Sequence, residues 1–300
     1  MREIKFNNYY KSFNYLSLFL IIFSLLLLIF KGLNLGVDFK GGTLIELRID
    51  KTAKISEIRN SFNQLSLGNV NVKQFGNKTD YIIKFERQNS NDPNFISNLK
   101  ENLTKTINYN FEFRRVENVG PKVSSELLKS GIIAICLSLA AMLFYIWIRF
   151  EWQFSLGAIL ALFHDVIITL GLFSLLSIEI NLSIVAAVLT IVGYSMNDTV
   201  VIYDRIRENL SKFNKLEIND ISNLSINETL SRTLITSVTT LLALFSIFIL
   251  GGEILKGFSF AMILGVIIGT YSSIFVASPV LKLLNVSHKT LEKKDEKILP

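Results

Sequence analysis

Cysteine, histidine and charged residues are all scarce in this sequence of 300 residues. The single cysteine, Cys136, excludes a disulfide bond within the chain. The two histidines, His164 and His288, lie far apart and form no group with the spacing of metal ligands. Only 19% of the residues are charged. The sequence therefore predicts neither a disulfide-stabilised domain nor a metal centre, and we expect no bound cofactor.

Half of the residues are apolar, and they occur in long blocks instead of at amphipathic spacing. A helix needs about 20 apolar residues to cross a bilayer. The sequence thus predicts a mainly α-helical membrane protein with six transmembrane helices, at Tyr15–Phe30, Gly131–Ile148, Phe154–Leu176, Leu182–Tyr203, Thr233–Leu250 and Phe258–Leu281.

The basic residues predict the orientation of these helices. Thirteen of the fourteen Lys and Arg residues in the short loops and tails fall on one side, and only Lys256 falls on the other. Because Lys and Arg are retained in the cytoplasm, both termini are predicted to be cytoplasmic. The same asymmetry explains the net charge of +6 better than nucleic-acid binding does.

Four regions follow from this topology: a cytoplasmic N-terminus with the first helix (1–30), an extracytoplasmic domain (31–130), five further helices (131–284) and a cytoplasmic tail (285–300). The extracytoplasmic domain is predicted to be a ferredoxin-like α+β sandwich, because its elements follow the order strand, helix, strand, strand, helix, strand. These elements are Thr43–Ile49, Ile55–Leu65, Val70–Phe75, Asp80–Glu86, Pro93–Ile107 (with Asp92 as its N-cap) and Tyr109–Val116. It contains no recognisable catalytic arrangement, so we expect a binding or lever module and not an enzyme.

A glycine-rich motif, GVDFKGGT, leads from the first helix into this domain and includes Gly36, Asp38, Gly41 and Gly42. Its glycines suit a tight turn or a close approach of two backbones. A phosphate-binding loop would place the glycines at the start of a helix, whereas these precede a strand. A turn before a strand is therefore the favoured interpretation.

One carboxylate, Asp198, lies within the apolar run of the fourth predicted helix. An unpaired charge in hydrocarbon is costly, so this residue is predicted to be functional and to have a partner. Arg232, at the start of the fifth helix, has a similar predicted depth and is the natural partner. The alternative for Arg232 is an interfacial residue that extends its charge to the membrane surface.

Polar residues around this pair are predicted to support it. Ser225, Thr229, Arg232, Thr236 and Thr239 recur at three- and four-residue spacing, so this helix face is predicted to point into the bundle. Asn197 and Thr199 flank Asp198. We expect these side chains to hold a site that gains and loses a proton.

Asp165 lies near the middle of the third predicted helix, next to His164. Adjacent helical residues point about 100° apart, so the two side chains are not expected to pair on one face. A hydrogen-bonded residue that fastens helices together and a proton relay are both open for Asp165.

Seven ordered sequence blocks resemble the SecF family, the smaller membrane subunits of the bacterial SecDF translocase complex in the resistance-nodulation-division superfamily. They are GVDFKGGT (Gly36–Thr43), VGPKVSSEL (Val119–Leu127), RFEWQFSLGAILALFHD (Arg149–Asp165), GYSMNDTVVIYDRIREN (Gly193–Asn209), TLSRTLITS (Thr229–Ser237), GG (Gly251–Gly252) and GTYSSIFVASP (Gly269–Pro279). The resemblance runs from Leu35 to the last helix.

The resemblance implies a half-bundle of six helices in the bacterial inner membrane that uses the proton-motive force to promote late steps of polypeptide translocation and release. It implies a SecD-type subunit, the SecYEG channel, YajC, YidC and a translocating unfolded polypeptide as partners. The family's coupling aspartate and arginine fall on Asp198 and Arg232, and its His-Asp pair falls on His164 and Asp165.

Two other classes of protein remain in view. A proton-driven exporter of small molecules or lipids in the same superfamily would share an intramembrane aspartate, but such exporters usually carry two six-helix halves in one chain. A membrane anchor for a binding domain would need no charge in its helices, and Asp198 and Asp165 disfavour it.

Overall fold

The computed structural model describes residues 3–65, 67–85, 94–107, 109–213, 215–288 and 290. In chain order its elements are a 3₁₀ turn (Phe6–Tyr9), α1 (Tyr10–Phe30), β1 (Asn34–Leu35), α2 (Val37–Lys40), β2 (Gly42–Ile49), α3 (Ile55–Asn63), β3 (Val70–Gln74), β4 (Asp80–Phe85), α4 (Phe95–Thr106), β5 (Phe111–Val119), α5 (Pro121–Arg149), α6 (Trp152–Leu176), β6 (Glu179–Ile180), α7 (Leu182–Lys212), α8 (Ile218–Leu250), α9 (Gly252–Ser272), a π-helical turn (Ser273–Ala277) and α10 (Ser278–Leu283).

The chain divides into two compact units. One is Leu35–Ile133, and the other combines the residues up to Asn34 with those from Ala134 onward. The first contains the four-stranded sheet, its helices and the start of α5, and the second contains the rest of α5 and the other long apolar helices.

The smaller unit has the predicted ferredoxin-like fold. Its sheet is antiparallel in the order β3-β4-β2-β5, so the first strand of the motif, β2, lies between β4 and β5. Alternate residues of β2 are buried, and Ile45 lies opposite Ile83 and Val116. Phe62 of α3 and Leu103 of α4 are fully buried against this face of the sheet.

Small differences separate the predicted and observed elements of this unit. The last strand begins at Phe111 instead of Tyr109 and continues to Val119, three residues beyond the prediction. Helix α4 begins at Phe95, preceded by Asn94. The predicted N-cap Asp92, together with Pro93 and Glu86, lies outside the described residues.

The glycine motif forms the predicted tight turn, with an additional helical turn, α2, that its sequence did not indicate. Gly41 and Gly42 have φ values of 80° and 128°, which residues other than glycine rarely adopt. A Cβ atom on Gly42 would lie 2.8 Å from the carbonyl oxygen of Phe85, so the backbones of the turn and β4 approach closely. The expected close approach is confirmed.

Six helices in the described part of the chain are long and apolar enough to span a membrane, as predicted. Three predicted ends were wrong by nine residues or more. The second span was predicted to begin at Gly131, but α5 begins at Pro121. The fourth span was predicted to end at Tyr203, but α7 continues to Lys212. The fifth was predicted to begin at Thr233, but α8 begins at Ile218. Hydropathy detects only the apolar part of each helix, whereas ion pairs such as Lys212–Glu208 (2.6 Å) support polar helical extensions.

Helices α6, α7 and α9 form the centre of this unit. Between 50% and 56% of the residues in their apolar segments are buried, against 11% to 17% for α1, α5 and α8. The backbones of α7 and α9 approach closely because α9 presents two glycines four residues apart. A Cβ on Gly265 would lie 2.3 Å from Ile191, and one on Gly269 would lie 2.9 Å from Ser195.

Asparagines on α8 fasten the N-terminal segment to that helix. Asn223 accepts a hydrogen bond from the backbone nitrogen of Phe6 (2.8 Å), and Asn227 both accepts from and donates to the backbone of Ile4 (2.9 Å each). These two residues lie one helical turn apart. The segment before α1 is therefore held along α8 by asparagine side chains, which bond to backbone groups of the segment that have no partner in a helix or sheet.

Candidate functional site: a buried polar cluster between the membrane helices

Asp198 is buried, with 2% of its surface exposed, and a hydrogen-bonded chain of hydroxyl groups leads away from it. The Thr270 hydroxyl on α9 donates to Asp198 Oδ2 at 3.1 Å. The Ser237 hydroxyl on α8 lies 2.8 Å from Thr270 Oγ1. This polar chain connects three helices at the predicted coupling residue.

Arg232 lies within about one helical turn of the depth of Asp198. Asp198 comes fourteen residues before the end of α7, and Arg232 comes fourteen residues after the start of α8. At 1.5 Å per residue, each is about 21 Å from the connecting loop. Arg205 contacts Glu228 (2.6 Å), and Asn209, further along α7, contacts Ser225, which comes earlier in α8 (2.9 Å), so the two helices are antiparallel.

The Arg232 side chain is exposed at the surface of the described chain, although its charge interacts electrostatically with Asp198. Among the described residues, no acidic group forms an ion pair with it. The prediction that its whole helix face points into the bundle was wrong: Ser225 is buried, but Arg232 and Thr239 face outward. Thr233 and Ser237 occupy the bundle-facing side instead, because α9 packs on that side of α8.

Asp165 is fully buried and has hydrogen-bonding partners on three sides. Ser272 of α9 donates to Oδ2 at 2.7 Å, and Ser195 of α7 donates to the same oxygen. His164 Nδ1 lies 2.8 Å from Oδ1, so the prediction that these neighbours do not pair was wrong. The ring nitrogen nearest the backbone makes this contact, and it reaches the adjacent carboxylate despite the angle between the two side chains.

The other predicted supporting residues are divided between the interior and the surface. Thr199 is buried, and its hydroxyl lies 3.4 Å from the carbonyl oxygen of Ser195. Thr229 and Thr236 donate to carbonyl groups of their own helix. Asn197 is exposed. The motif residues Gly36, Asp38, Gly41 and Gly42 belong to the smaller unit.

An outward polar stripe runs along the surface of α7 and α8. We define it by the exposed or half-exposed residues Thr190, Gly193, Asn197, Arg232 and Thr236. Polar groups and an arginine are costly against lipid tails. Small and polar residues are instead typical of surfaces where membrane helices meet other helices.

Four hydroxyl residues of the cluster were missed in the sequence: Ser195, Ser237, Thr270 and Ser272. A signal for the last two was present, because Gly269–Ser273 is a run of small and polar residues inside an apolar helix. The run ends at the π-helical turn, where the buried Tyr203 hydroxyl donates to the carbonyl oxygen of Ala277 at 2.9 Å. Such turns often accompany functional sites.

This geometry suits the storage and release of a proton. Asp198 and Asp165 lie in one helix bundle, and both contact hydroxyl groups, which can donate or accept a hydrogen bond. A hydroxyl can therefore satisfy either the ionised or the protonated carboxyl. Among the described residues, no group of His, Cys, Asp and Glu is arranged to hold a metal ion.

Two family patterns match the chain. The pattern described as protein export membrane protein SecD/SecF, C-terminal, matches residues 99–287, and the SecD/SecF GG motif matches residues 26–53. The protein translocase subunit SecF of Rickettsia bellii is 47% identical and covers 92% of this chain and 91% of the relative. SecF of Rickettsia felis is 46% identical and covers 88% and 87%.

Solved structures of SecDF share the fold. The crystal structure of SecDF from Thermus thermophilus matches with a TM-score of 0.85 and 32% identity over 94% of this chain. SecDF in its super-membrane-facing form matches with a TM-score of 0.70 and 31% identity over 99% of this chain. The chain spans only 38% and 40% of those SecDF chains. By sequence and fold together, the chain belongs to the SecF family of protein translocase subunits.

Proposed function

We propose that this chain works with a SecD-type subunit and uses the proton-motive force to promote the late steps of polypeptide translocation and release. Family membership supports a role in protein export, and the intramembrane polar cluster supports the use of a proton gradient. The whole assembly includes the SecYEG channel, with YajC and YidC as further candidate partners, and acts on an unfolded polypeptide.

The outward polar stripe is the observation that carries this proposal. Arg232 lies one helical turn after Glu228, where the polar start of α8 gives way to its apolar part, and it has no ion-pair partner among the described residues. This position favours a polar surface outside this chain as its neighbour. A second bundle of SecD type, packed against α7 and α8, supplies that surface. The site of proton coupling is then completed at the interface of two half-bundles, where transporters of this kind bind their coupling ion.

Proton binding at Asp198 changes the charge balance at this interface. When Asp198 is ionised, it attracts Arg232 electrostatically, and protonation removes that attraction. Each elementary charge that crosses the field yields about 2.3 kcal/mol per 100 mV, which is enough to shift a balanced two-state bundle. Asp165 is a second carboxylate that can hold a proton in the same bundle.

The proposal requires that the chain lies in the bacterial inner membrane with both termini in the cytoplasm and with its ferredoxin-like domain in the periplasm. We expect a membrane-impermeant maleimide to label Asn77→Cys in spheroplasts, but to label Lys215→Cys only after the membrane is opened. Both positions are exposed, and both variants are made in a Cys136→Ser background because Cys136 is itself exposed. Labelling of Lys215→Cys but not of Asn77→Cys in sealed spheroplasts would contradict this orientation and indicate the opposite one.

Reconstitution tests the function directly. Membrane vesicles from a strain without its own SecD and SecF receive this chain, the SecD-type subunit of the same genome, or both. We expect the gradient-dependent part of translocation only with both, and mild-detergent purification of this chain to recover the SecD-type subunit. Full gradient-dependent translocation by this chain alone would contradict the proposal.

A further inference from the structure

The hydroxyl chain from Asp198 to α8 has a direction that depends on the protonation state of Asp198. An ionised carboxylate only accepts hydrogen bonds, so Thr270 must donate its one proton to Asp198 Oδ2. Ser237 must then donate to Thr270 Oγ1, 2.8 Å away. In this state every donor in the chain points toward Asp198.

Protonation of Asp198 allows the opposite order, which the ionised carboxylate forbids. The new carboxyl O–H donates to Thr270, which is then able to turn its own proton toward Ser237. Ser237 in turn directs its proton away from Thr270. The hydroxyl groups only rotate: no covalent bond breaks, and no proton passes along the chain.

From this arrangement we propose that Thr270 is a positioning residue that, through Ser237, reports the protonation state of Asp198 to α8. Ser237 is 5% exposed and lies five residues after Arg232 on the same helix. The signal therefore arrives on the helix that carries the arginine of the outward polar stripe. This inference rests on proton coupling at Asp198, as proposed above.

Ionisable groups on other helices lie near Asp198 or are linked to its helix, and they contribute to any pH profile measured there. Arg232 acts from α8, and Asp165 and His164 act from α6, linked to α7 through Ser195 one turn before Asp198. The Thr270 hydroxyl contacts Asp198 from α9. A substitution at Thr270 leaves all of these charges in place, so its effect on a pH profile reports the hydrogen bond.

The test uses gradient-dependent translocation by the complex with the SecD-type subunit, measured in vesicles across pH. Thr270→Val keeps the shape of the side chain but removes its hydroxyl, and Thr270→Ser restores the hydroxyl. We expect Thr270→Val to lower activity about tenfold and to move the pH midpoint upward by about one unit, because the ionised carboxylate loses a donor. We expect Thr270→Ser to follow the wild type.

Ser237→Ala separates a relay from a simple contact. It leaves the Thr270–Asp198 bond intact and removes only the hydroxyl that carries the signal to α8. We expect a shift in the same direction as Thr270→Val, but smaller. Ser259→Ala is the matched control, because Ser259 is buried on α9 and donates to its own helix at Leu255; it should have no effect.

The outcomes distinguish this inference from the proposed function. If Asp198→Asn abolishes gradient-dependent activity while Thr270→Val and Ser237→Ala both keep the wild-type profile, the relay is overturned and proton coupling stands. If Thr270→Val fails to fold, Ser237→Ala decides the question. A wild-type profile for Ser237→Ala would remove the connection to α8, even if Thr270 mattered.

Discussion

Alanine at Gly265 or Gly269 is expected to separate α7 from α9 and to disrupt the whole polar cluster. A Cβ at Gly265 would lie 2.3 Å from Ile191, and one at Gly269 would lie 3.0 Å from the Cα of Ser195. Overpacking a tight contact costs about 1–3 kcal/mol, and the higher helix propensity of alanine offsets about 1 kcal/mol of that. We expect each variant to lower the free energy of unfolding by up to about 2 kcal/mol.

The functional loss should exceed the loss of stability, because α9 carries both Thr270 and Ser272. A displaced α9 breaks the contacts with Asp198 and Asp165 together. Detergent unfolding measures the stability, and gradient-dependent translocation in vesicles measures the function. Gly257→Ala is the matched control on the same helix, because its Cβ would meet only the flexible end of Ile184 at 3.1 Å.

Stable and fully active alanine variants at both Gly265 and Gly269 would refute this role of the glycines. They would mean that α7 and α9 can move apart without disturbing the carboxylates. If Gly257→Ala lost as much stability, the effect would instead be a general one of replacing any glycine of α9 by a larger residue.

Local patterns were sufficient to predict the six apolar helices and the ferredoxin-like unit. Blocks of apolar residues identify helices such as α6, and alternation along β2 identifies a strand with one buried face. The polar ends of α7 and α8 were not predicted, because hydropathy detects only the apolar part of a helix and does not show where the helix continues into water. Ion pairs along those ends stabilise them instead.

The sequence also pointed to Asp198 and Asp165, because a carboxylate in an apolar run is costly wherever the helix lies. It did not reveal their partners. Thr270 follows Asp198 by 72 positions and Ser272 follows Asp165 by 107, so only the packing of α9 brings them together. The outward position of Arg232 likewise depends on which side of α8 meets α9, and residue spacing alone cannot define that side.

The fastening of the N-terminal segment to α8 was also beyond prediction. Asn223 and Asn227 are ordinary polar residues at helical spacing, and nothing in the sequence indicates that they bind the backbone of Ile4 and Phe6. Here a side chain satisfies backbone groups over 200 positions away. Such contacts follow from the arrangement of the helices.

Asp198→Asn is expected to abolish proton-driven translocation while leaving the protein folded. Asparagine has nearly the same shape as the protonated aspartate and can still bond Thr270, but it cannot release a proton. The variant should insert, fold and bind the SecD-type subunit, because proton coupling at Asp198 requires the wild type to visit a neutral state at this position. Arg232→Ala should give a similar loss, and the double variant should be little worse because the two residues act as a unit.

A second aspartate on α7 provides the matched control. Asp204 is about 40% exposed and pairs with Arg149 at 2.9 Å, near the end of the helix. Exposed pairs of this kind contribute little to stability, about 1 kcal/mol or less. Asp204→Asn changes the same net charge on the same helix and should retain gradient-dependent activity.

The decisive measurement compares translocation in vesicles that carry the complex, before and after the proton gradient is collapsed. Proton coupling at Asp198 predicts a large gradient-dependent component in the wild type and in Asp204→Asn, and none in Asp198→Asn. The translocation that remains without a gradient should be equal in all three. A wild-type gradient response in Asp198→Asn would contradict the mechanism and leave that carboxylate with a structural role alone.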